Sequence, residues 1–434
     1  MMKKWLISLL SVCCITATLG SCAFVTMVPP SSSSASSKVS SSRRRNSKSS
    51  KEDEDSPEED SSSVEEVELE ELKAYDKYSL DVYMQPLWQG SVVYNETLMF
   101  VGQNDDAPLL YAATEIISVR SYDLKTEYVE GKDYEYDAKT NTISLTKATN
   151  MPFFTELEYY PSMEIPGSTF PCAEPGIPYI RFSEGDYFTS RQIAVTYRHS
   201  GKKHLPAPSD QSAAFKNTLQ KLENDEEVKI LFYGDSITVG GNASGFLGVE
   251  PRADIWAKMV FNSLVGATGA TKAQYINTAV GGWRTKDGLD NLEERVLAYA
   301  PDAVFLAFGM NDGDKGPQMH VEELSEMIDR IRAVNPETEI CLVSTMLANQ
   351  AVKGFYGTQQ YFGEAYAEYV TERKASGDEK ICFADVTSMH KALLEIKRYY
   401  DMTGNNVNHV NDFMSRVYAQ TVFQTVYGYK NNQK

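Results

Sequence analysis

From about residue 209 onward the chain alternates short, nearly unbroken apolar runs with longer stretches in which apolar residues recur every three or four positions. The runs VKILFYG (228–234), AQYINTAV (273–280), AVFLAFG (303–309), EICLVST (339–345) and KICFADV (380–386) read as strands. The stretches 255–265, 289–299, 321–334 and 362–373 read as the helices between them. A strand without a polar face must be covered on both sides. The pattern therefore predicts an α/β fold, three layers deep, with a five-stranded parallel sheet between helices. Such sheets bind ligands beyond the carboxyl ends of their strands, so any chemistry is expected just past each run.

Upstream the period changes. SVVYNETLMFV, TEIISVRSYD, TEYVEGKDYEYDAKTNTISLT and RQIAVTYRH are rich in Tyr, Val, Thr and Ile. Turn signals stand at Glu130-Gly131, Lys139-Thr140-Asn141 and Gly185-Asp186. No helical pattern of three turns interrupts them. A smaller, jelly-roll-like β-sandwich is expected over 73–205, with the boundary at Pro206-Ala207-Pro208 and the α/β domain over 206–434.

The first residues, MMKKWLISLLSVCCITATLGSC, place two lysines ahead of an apolar run that ends in small residues, which is the layout of an export signal. The run is short and broken by Ser and Thr, unlike a spanning helix of ~20 residues. Leu19-Gly20-Ser21-Cys22 resembles a bacterial lipoprotein signal. That resemblance implies removal of 1–21, diacylglycerol on Cys22, and a lipid-anchored place on the bacterial cell surface; an ordinary secretory signal or an uncleaved anchor is the alternative. Residues 22–72 are dominated by Ser, Arg, Lys, Glu and Asp, and Ser31 to Ser63 contain no aromatic residue. Such a segment buries too little apolar area to offset the ~1–2 kcal/mol of backbone entropy lost per ordered residue, and reads as a solvated tether. Its basic patch, Arg43-Arg44-Arg45 and Lys48, either lies against anionic lipid or merely keeps the tether soluble.

The net charge of -18 argues against nucleic acid, which needs a basic face. Twelve of the acidic residues sit in the tether, and the charge as a whole says little about the substrate. Of six cysteines, Cys172, Cys341 and Cys382 fall in the folded part, and the last two sit in strand-like runs as small hydrophobes, so no disulfide framework is expected.

Four segments carry candidate chemistry. Ser236 follows the first strand in Gly234-Asp235-Ser236; a serine there caps the next helix or, after a sharp glycine turn, stands exposed as a nucleophile. Gly281 and Gly282 follow the second strand, either for a tight turn or to bring a bare amide to a developing oxyanion. Asn311 follows the third strand in GMND, as a cap or as a side-chain donor to negative charge. His409 lies in TGNNVNHVNDF, a loop ahead of a last helix DFMSRVYAQTVFQTV. Of the other histidines, His199 and His204 read as surface or linker residues, and His320 and His390 as caps or solvent-facing residues with no cysteine or carboxylate at metal-ligand spacing; neither metal nor cofactor is expected.

Together these segments resemble the SGNH (GDSL-type) hydrolase family. The resemblance runs over about 227–427, and its weight lies in the four blocks occurring in order. It implies a flavodoxin-like sheet, Ser236 as nucleophile, Gly282 (with Gly281 as competitor) and Asn311 as oxyanion donors, and His409 as base. One position departs: many members carry an acid three residues before the histidine, and here that place holds Asn406. An amide or backbone oxygen then orients the ring, or Asp401 or Asp412 substitutes. Asp235, Gly281, Trp283, Phe355 and Tyr356 are candidates for the substrate pocket, the aromatic ones as sugar platforms or as core filling.

An extracytoplasmic chain with a β-rich partner and no long apolar lid is similar to members that remove acetyl groups from polysaccharide. The expected partner is an acetylated glycan or another small ester, with a tethered monomer as the default. A lysophospholipase or thioesterase, and a non-catalytic glycan-binding lipoprotein, are the alternatives.

Overall fold

The computed structural model describes residues 77–201 and 205–429; the expected export signal, Cys22 and the expected tether at 22–72 lie outside the described residues. Among the described residues no helix is long and apolar enough to cross a membrane.

Five strands form one parallel sheet, ordered Ala273–Asn277, Val228–Gly234, Ala303–Ala307, Glu339–Val343 and Ile381–Ala384 from edge to edge. Each of the last four in chain order is shorter than its apolar run. After Ala273–Asn277 the backbone stays extended, with the Thr278 and Val280 N–H groups still donating to Phe232 and Gly234 carbonyls at 3.0 Å, before it leaves the sheet. Residues alternate between two cores: Ile230, Phe232, Phe305 and Cys341 face one side, and Leu231, Tyr233, Val304 and Leu342 the other. The first side is covered by Trp256–Thr268 and Asp412–Val426, the second by Pro317–Val334 and Phe362–Ala375. These are the three layers that two-sided apolar strands require, each fully buried large side chain contributing about 1.5–3 kcal/mol.

One expected helix differs. The stretch 289–299 breaks into Thr285–Asp290, Leu292–Arg295 and a 3-10 turn Leu297–Tyr299. Asn291 sits at the first break with its amide donating back to the Asp287 carbonyl at 2.8 Å, the local competition that makes Asn a poor helix interior.

The segment before residue 205 forms antiparallel sheets. Val92–Met99, Gln192–His199, Ala113–Ser121 and Glu127–Tyr128 make one of four strands; Asp106–Pro108, Thr142–Leu145 and Tyr134–Asp137 make one of three; Thr169–Pro171 pairs with Tyr179–Arg181. Gly131, Asn141 and Gly185 take left-handed φ at the turns that the sequence marks.

This segment shares a hydrophobic cluster with the α/β part. The helix Asp412–Val426 is buried on almost every side, because strand Val92–Met99 packs where solvent would otherwise be. Its polar residues satisfy the neighbour's backbone: Arg416 donates to the Tyr94 carbonyl at 2.5 Å, and Gln420 to those of Tyr83 and Gln85 at 2.7 and 2.6 Å. Below it, buried Glu96 and Lys397 form an ion pair at 2.5 Å, 301 positions apart. The β-rich segment is thereby held against 397–420, the stretch that carries His409.

Candidate active site

Gly234 ends the first strand against Ala307. A Cβ there would lie 2.3 Å from the Ala307 carbonyl oxygen and 2.5 Å from Thr238 Oγ1, so only glycine fits. Asp235 then caps a single helical turn, Ser236–Val239, accepting from the Ile237 N–H at 3.0 Å. The turn lifts Ser236 out of the sheet, while the Asp235 carboxyl turns inward toward the Met310 N–H at 3.4 Å. Asp235 is thus a buried strut and not a pocket wall. Burial above all, reinforced by the charge of Asp312, pushes its carboxyl up to about 7.

His409 arrives from the opposite end of the chain. Its loop is wound around Asn405, whose Oδ1 accepts the N–H groups of Val407, Asn408 and His409, each at 3.0 Å. The His409 carbonyl accepts from Thr403 Oγ1 at 2.8 Å and from the Gly404 N–H at 3.0 Å. The result brings Nε2 to 2.8 Å from Ser236 Oγ, across 173 positions of sequence.

The other ring nitrogen has two partners that the sequence reading did not name. Nδ1 lies 2.6 Å from Asn242 Oδ1 and 3.2 Å from Glu184 Oε2. The Asn242 amide donates to the Gly185 carbonyl at 2.9 Å, which turns its oxygen toward the ring. Nδ1 must then carry the proton, leaving Nε2 free to accept from the serine hydroxyl. Glu184 also accepts from Asn405 Nδ2 at 3.2 Å, and its side chain is 55% exposed. Burial alone would raise its carboxyl, but the hydrogen bond and charge of His409, with help from Asn405, outweigh that and hold it below the usual range. The only local signals near these residues are Asn242 closing GGN six positions after the serine and the Gly185-Asp186 turn that follows Glu184.

Asn406, three residues before the histidine, does not reach it. The residue is buried at φ 69°; its Oδ1 accepts from Tyr159 OH at 2.9 Å and its Nδ2 donates to the Arg181 carbonyl at 3.0 Å. It ties the loop to the β-rich segment. Asp401 and Asp412 are committed elsewhere as well: Asp401 accepts from the Met99 N–H at 2.9 Å, and Asp412 accepts from the Ser244 N–H at 2.8 Å as it opens the last helix. Burial pushes Asp412 up to about 6.

On the other flank, Asn311 lies in a one-turn 3-10 helix and donates one amide hydrogen to the Trp283 carbonyl at 2.9 Å; a primary amide keeps a second. Of the two glycines, Gly281 stands closer to the serine: a Cβ on it would sit 3.8 Å from Ser236 Cβ, whereas one on Gly282, at φ +79°, would meet nothing within 4 Å. The turn between these flanks is braced from below by buried Asp312, which accepts from Thr285 Oγ1 at 2.9 Å and from Lys315 Nζ at 3.1 Å. His320 joins that brace between Thr285 (2.7 Å) and Tyr366 (2.6 Å), and burial lowers it to about 4, so it stays neutral.

The aromatic pocket candidates are engaged with protein. Trp283 packs against the second core, with the Arg295 guanidinium 5.4 Å from its ring. Phe355 meets Phe170 edge-on at 5.3 Å, and Tyr356 OH donates to Gln360 at 3.1 Å. None of these contacts involves Ser236 or His409.

Residues 232–416 match the model of the GDSL-like Lipase/Acylhydrolase family. No curated protein matches the chain. Among solved structures, a two-domain esterase active on acetylated mannans is similar at 19% identity and a TM-score of 0.38, over 48% of this chain and 52% of that one; the chain thus spans about half its length. A catalytic mutant of an acetylxylan esterase from Geobacillus stearothermophilus aligns at 19% identity and a TM-score of 0.36, over 47% and 95% of the two chains. A lipase/acylhydrolase from Enterococcus faecalis aligns at 22% and 0.35, over 45% and 94%. With the family model spanning the serine, asparagine and histidine blocks, residues 232–416 are a GDSL/SGNH-type hydrolase domain.

Proposed function

We propose that the protein is a serine esterase that removes short acyl groups, acetyl foremost, from extracellular polysaccharide through an acyl-enzyme on Ser236. The observation that carries this reading is the 2.8 Å approach of His409 Nε2 to Ser236 Oγ, with Nδ1 holding the ring proton. His409 takes the hydroxyl proton as the oxygen attacks the ester carbonyl. The tetrahedral oxyanion is met by the Ser236 N–H, a glycine N–H from Gly281-Gly282, and the free amide hydrogen of Asn311. Collapse passes the proton from His409 to the departing alcohol. Water activated by the same nitrogen then clears the acyl group.

The preference for a polar, carbohydrate-borne ester draws support from the groups around the ring: Glu184, Asn242 and Asn405 flank the imidazole where a lipase would offer apolar surface to an acyl tail. A β-sandwich over 73–205 that shapes the cleft, and a lipid on Cys22 that keeps the enzyme at the cell surface, belong to the same reading. Mass spectrometry of the membrane fraction is expected to find a blocked, lipid-bearing Cys22.

The test is acetate release from acetylated xylan, mannan and peptidoglycan, alongside aryl esters of increasing acyl length, with Ser236→Ala as the blank. Turnover that vanishes in the variant and declines with acyl length is the expected result. Retained turnover in Ser236→Ala refutes the nucleophile, and a preference beyond about eight carbons refutes the acetyl assignment.

A further inference from the structure

We infer that Glu184, a residue of the β-rich segment, is the charged positioning partner of His409 and takes the part of the acid that this chain lacks three residues before the histidine. The inference rests on the esterase reading of Ser236 and His409.

The geometry is specific. Glu184 lies in the turn between strand Tyr179–Arg181 and the 3-10 helix Thr189–Arg191, 225 positions from the histidine. Its two oxygens divide their work: Oε2 faces His409 Nδ1 at 3.2 Å, and Oε1 accepts from Asn405, the residue that winds the histidine loop. The next residue supplies the carbonyl that fixes the Asn242 amide, so one turn orients both acceptors of the single Nδ1–H. Asn242 is the nearer acceptor, but a neutral amide cannot offset the positive charge that develops on the ring as it takes the serine proton. A carboxylate can. Besides Glu184, the titratable group that bears on this ring by charge is Asp235, buried beneath Ser236. Its carboxyl is turned away from the imidazole to backbone N–H groups, so Glu184 is the one placed to act at Nδ1.

Because Glu184 is half exposed, solvent screens it more than a buried triad aspartate. Its loss is therefore expected to lower kcat by about ten- to a hundredfold, below the ~10⁴ of a buried case.

The experiment compares wild type, Glu184→Gln, Asn242→Ala and Ser236→Ala. Glu184→Gln keeps the acceptor and removes the charge. Expected are an unchanged melting midpoint, KM within about twofold, the kcat loss above, and an acid limb of the kcat/KM profile displaced to lower pH, because a charge that favours the imidazolium is gone. Ring 15N NMR of His409 reads the same displacement without any substrate. If Glu184→Gln keeps kcat within twofold and both pH profiles stay in place, while Asn242→Ala is impaired, the inference is overturned and Asn242 alone orients the ring. If instead Ser236→Ala still turns over substrate, the esterase reading has failed, and the NMR titration still decides whether Glu184 pairs with the imidazole.

Discussion

Removing the ammonium from the ion pair between Glu96 and Lys397 tests whether the β-rich segment and the hydrolase domain fold as one unit. Both side chains are fully buried, with Nζ 2.5 Å from Glu96 Oε1 and 3.1 Å from the Thr97 carbonyl. The carboxylate also accepts from the Leu110 N–H at 3.0 Å and from Tyr197 OH at 2.6 Å. Lys397→Met keeps most of the volume and leaves a buried carboxylate with only those two donors. Breaking such a pair from one side costs about 3–5 kcal/mol; the two surviving donors place the expected loss toward the lower end, about 3 kcal/mol. Glu96→Gln strands the ammonium instead and should cost a similar amount. The double variant removes both charges, so its loss should fall short of the sum by about 2–3 kcal/mol. Urea titrations at constant m-value measure these differences. Trp88 and Trp256, one in each part and both in the shared core, should report a single coincident transition. A loss below about 1 kcal/mol for Lys397→Met, strict additivity, or separate midpoints for the two parts would refute the reasoning.

Asn311→Ala removes one of the proposed oxyanion donors and should lower kcat about 10²–10³-fold with little change in KM; steady-state kinetics on an aryl acetate decide it, and a loss below tenfold counts against the assignment. Gly241→Ala brings a Cβ to 3.1 Å from His409 Nδ1 and 3.2 Å from Cε1, so the ring must shift by a few tenths of an ångström; kcat should fall at least tenfold at nearly constant melting midpoint, and unchanged kcat would mean that the ring tolerates displacement. Asp235, raised to about 7 in the folded state, contributes stability that is complete below its unfolded value near 4 and is lost as pH rises through 7. Wild-type stability relative to Asp235→Asn should accordingly decline by up to about 4 kcal/mol between those pH values, and a flat or rising difference would contradict the burial argument. Asn406→Asp writes the family's acid back into the sequence but should destabilise the fold by about 2–4 kcal/mol and leave kcat no higher, as urea titration and kinetics will show; a variant more active than wild type would mean that the loop can re-aim residue 406 toward the ring.

The parallel sheet was legible because two-sided burial leaves a local signature: each strand writes its own apolar run. Ser236, Asn311 and His409 stand out as candidates because each follows a strand or precedes a helix whose pattern is equally local. The partners of Nδ1 left no such trace. Glu184-Gly185 has the composition of any exposed turn, and its meeting with His409 depends on a docking interface built from Glu96, Lys397, Arg416 and Gln420, all scattered in sequence. The break at Asn291 was missed for a related reason, since apolar spacing over 289–299 satisfies a helical period while one side-chain amide interrupts it. Trp283 follows the paired glycines Gly281-Gly282 and reads as a platform, yet its indole finds the core and Arg295 first.

Asn at 406 and the carboxylate at 184 are two consequences of one packing choice. Position 406 is left-handed at φ 69°, a conformation that Asn tolerates well, and its amide uses both ends at once: the oxygen receives Tyr159 OH, and the nitrogen donates to the carbonyl of Arg181. An aspartate in that place has no hydrogen to give and would set a buried negative charge against a carbonyl oxygen, a cost that the Tyr159 hydroxyl and the more distant Asn349 amide, 3.3 Å from the same oxygen, would not offset. Docking the β-rich segment here therefore excludes an acid from the usual position before the histidine. The strand that imposes the exclusion, Tyr179–Arg181, runs on within three residues to Glu184, which returns a carboxylate to the same imidazole from the other side. A hydrolase domain cut away from this segment would lose Glu184, the carbonyl that aims Asn242, and the partner that holds Asn406, all from the environment of one ring.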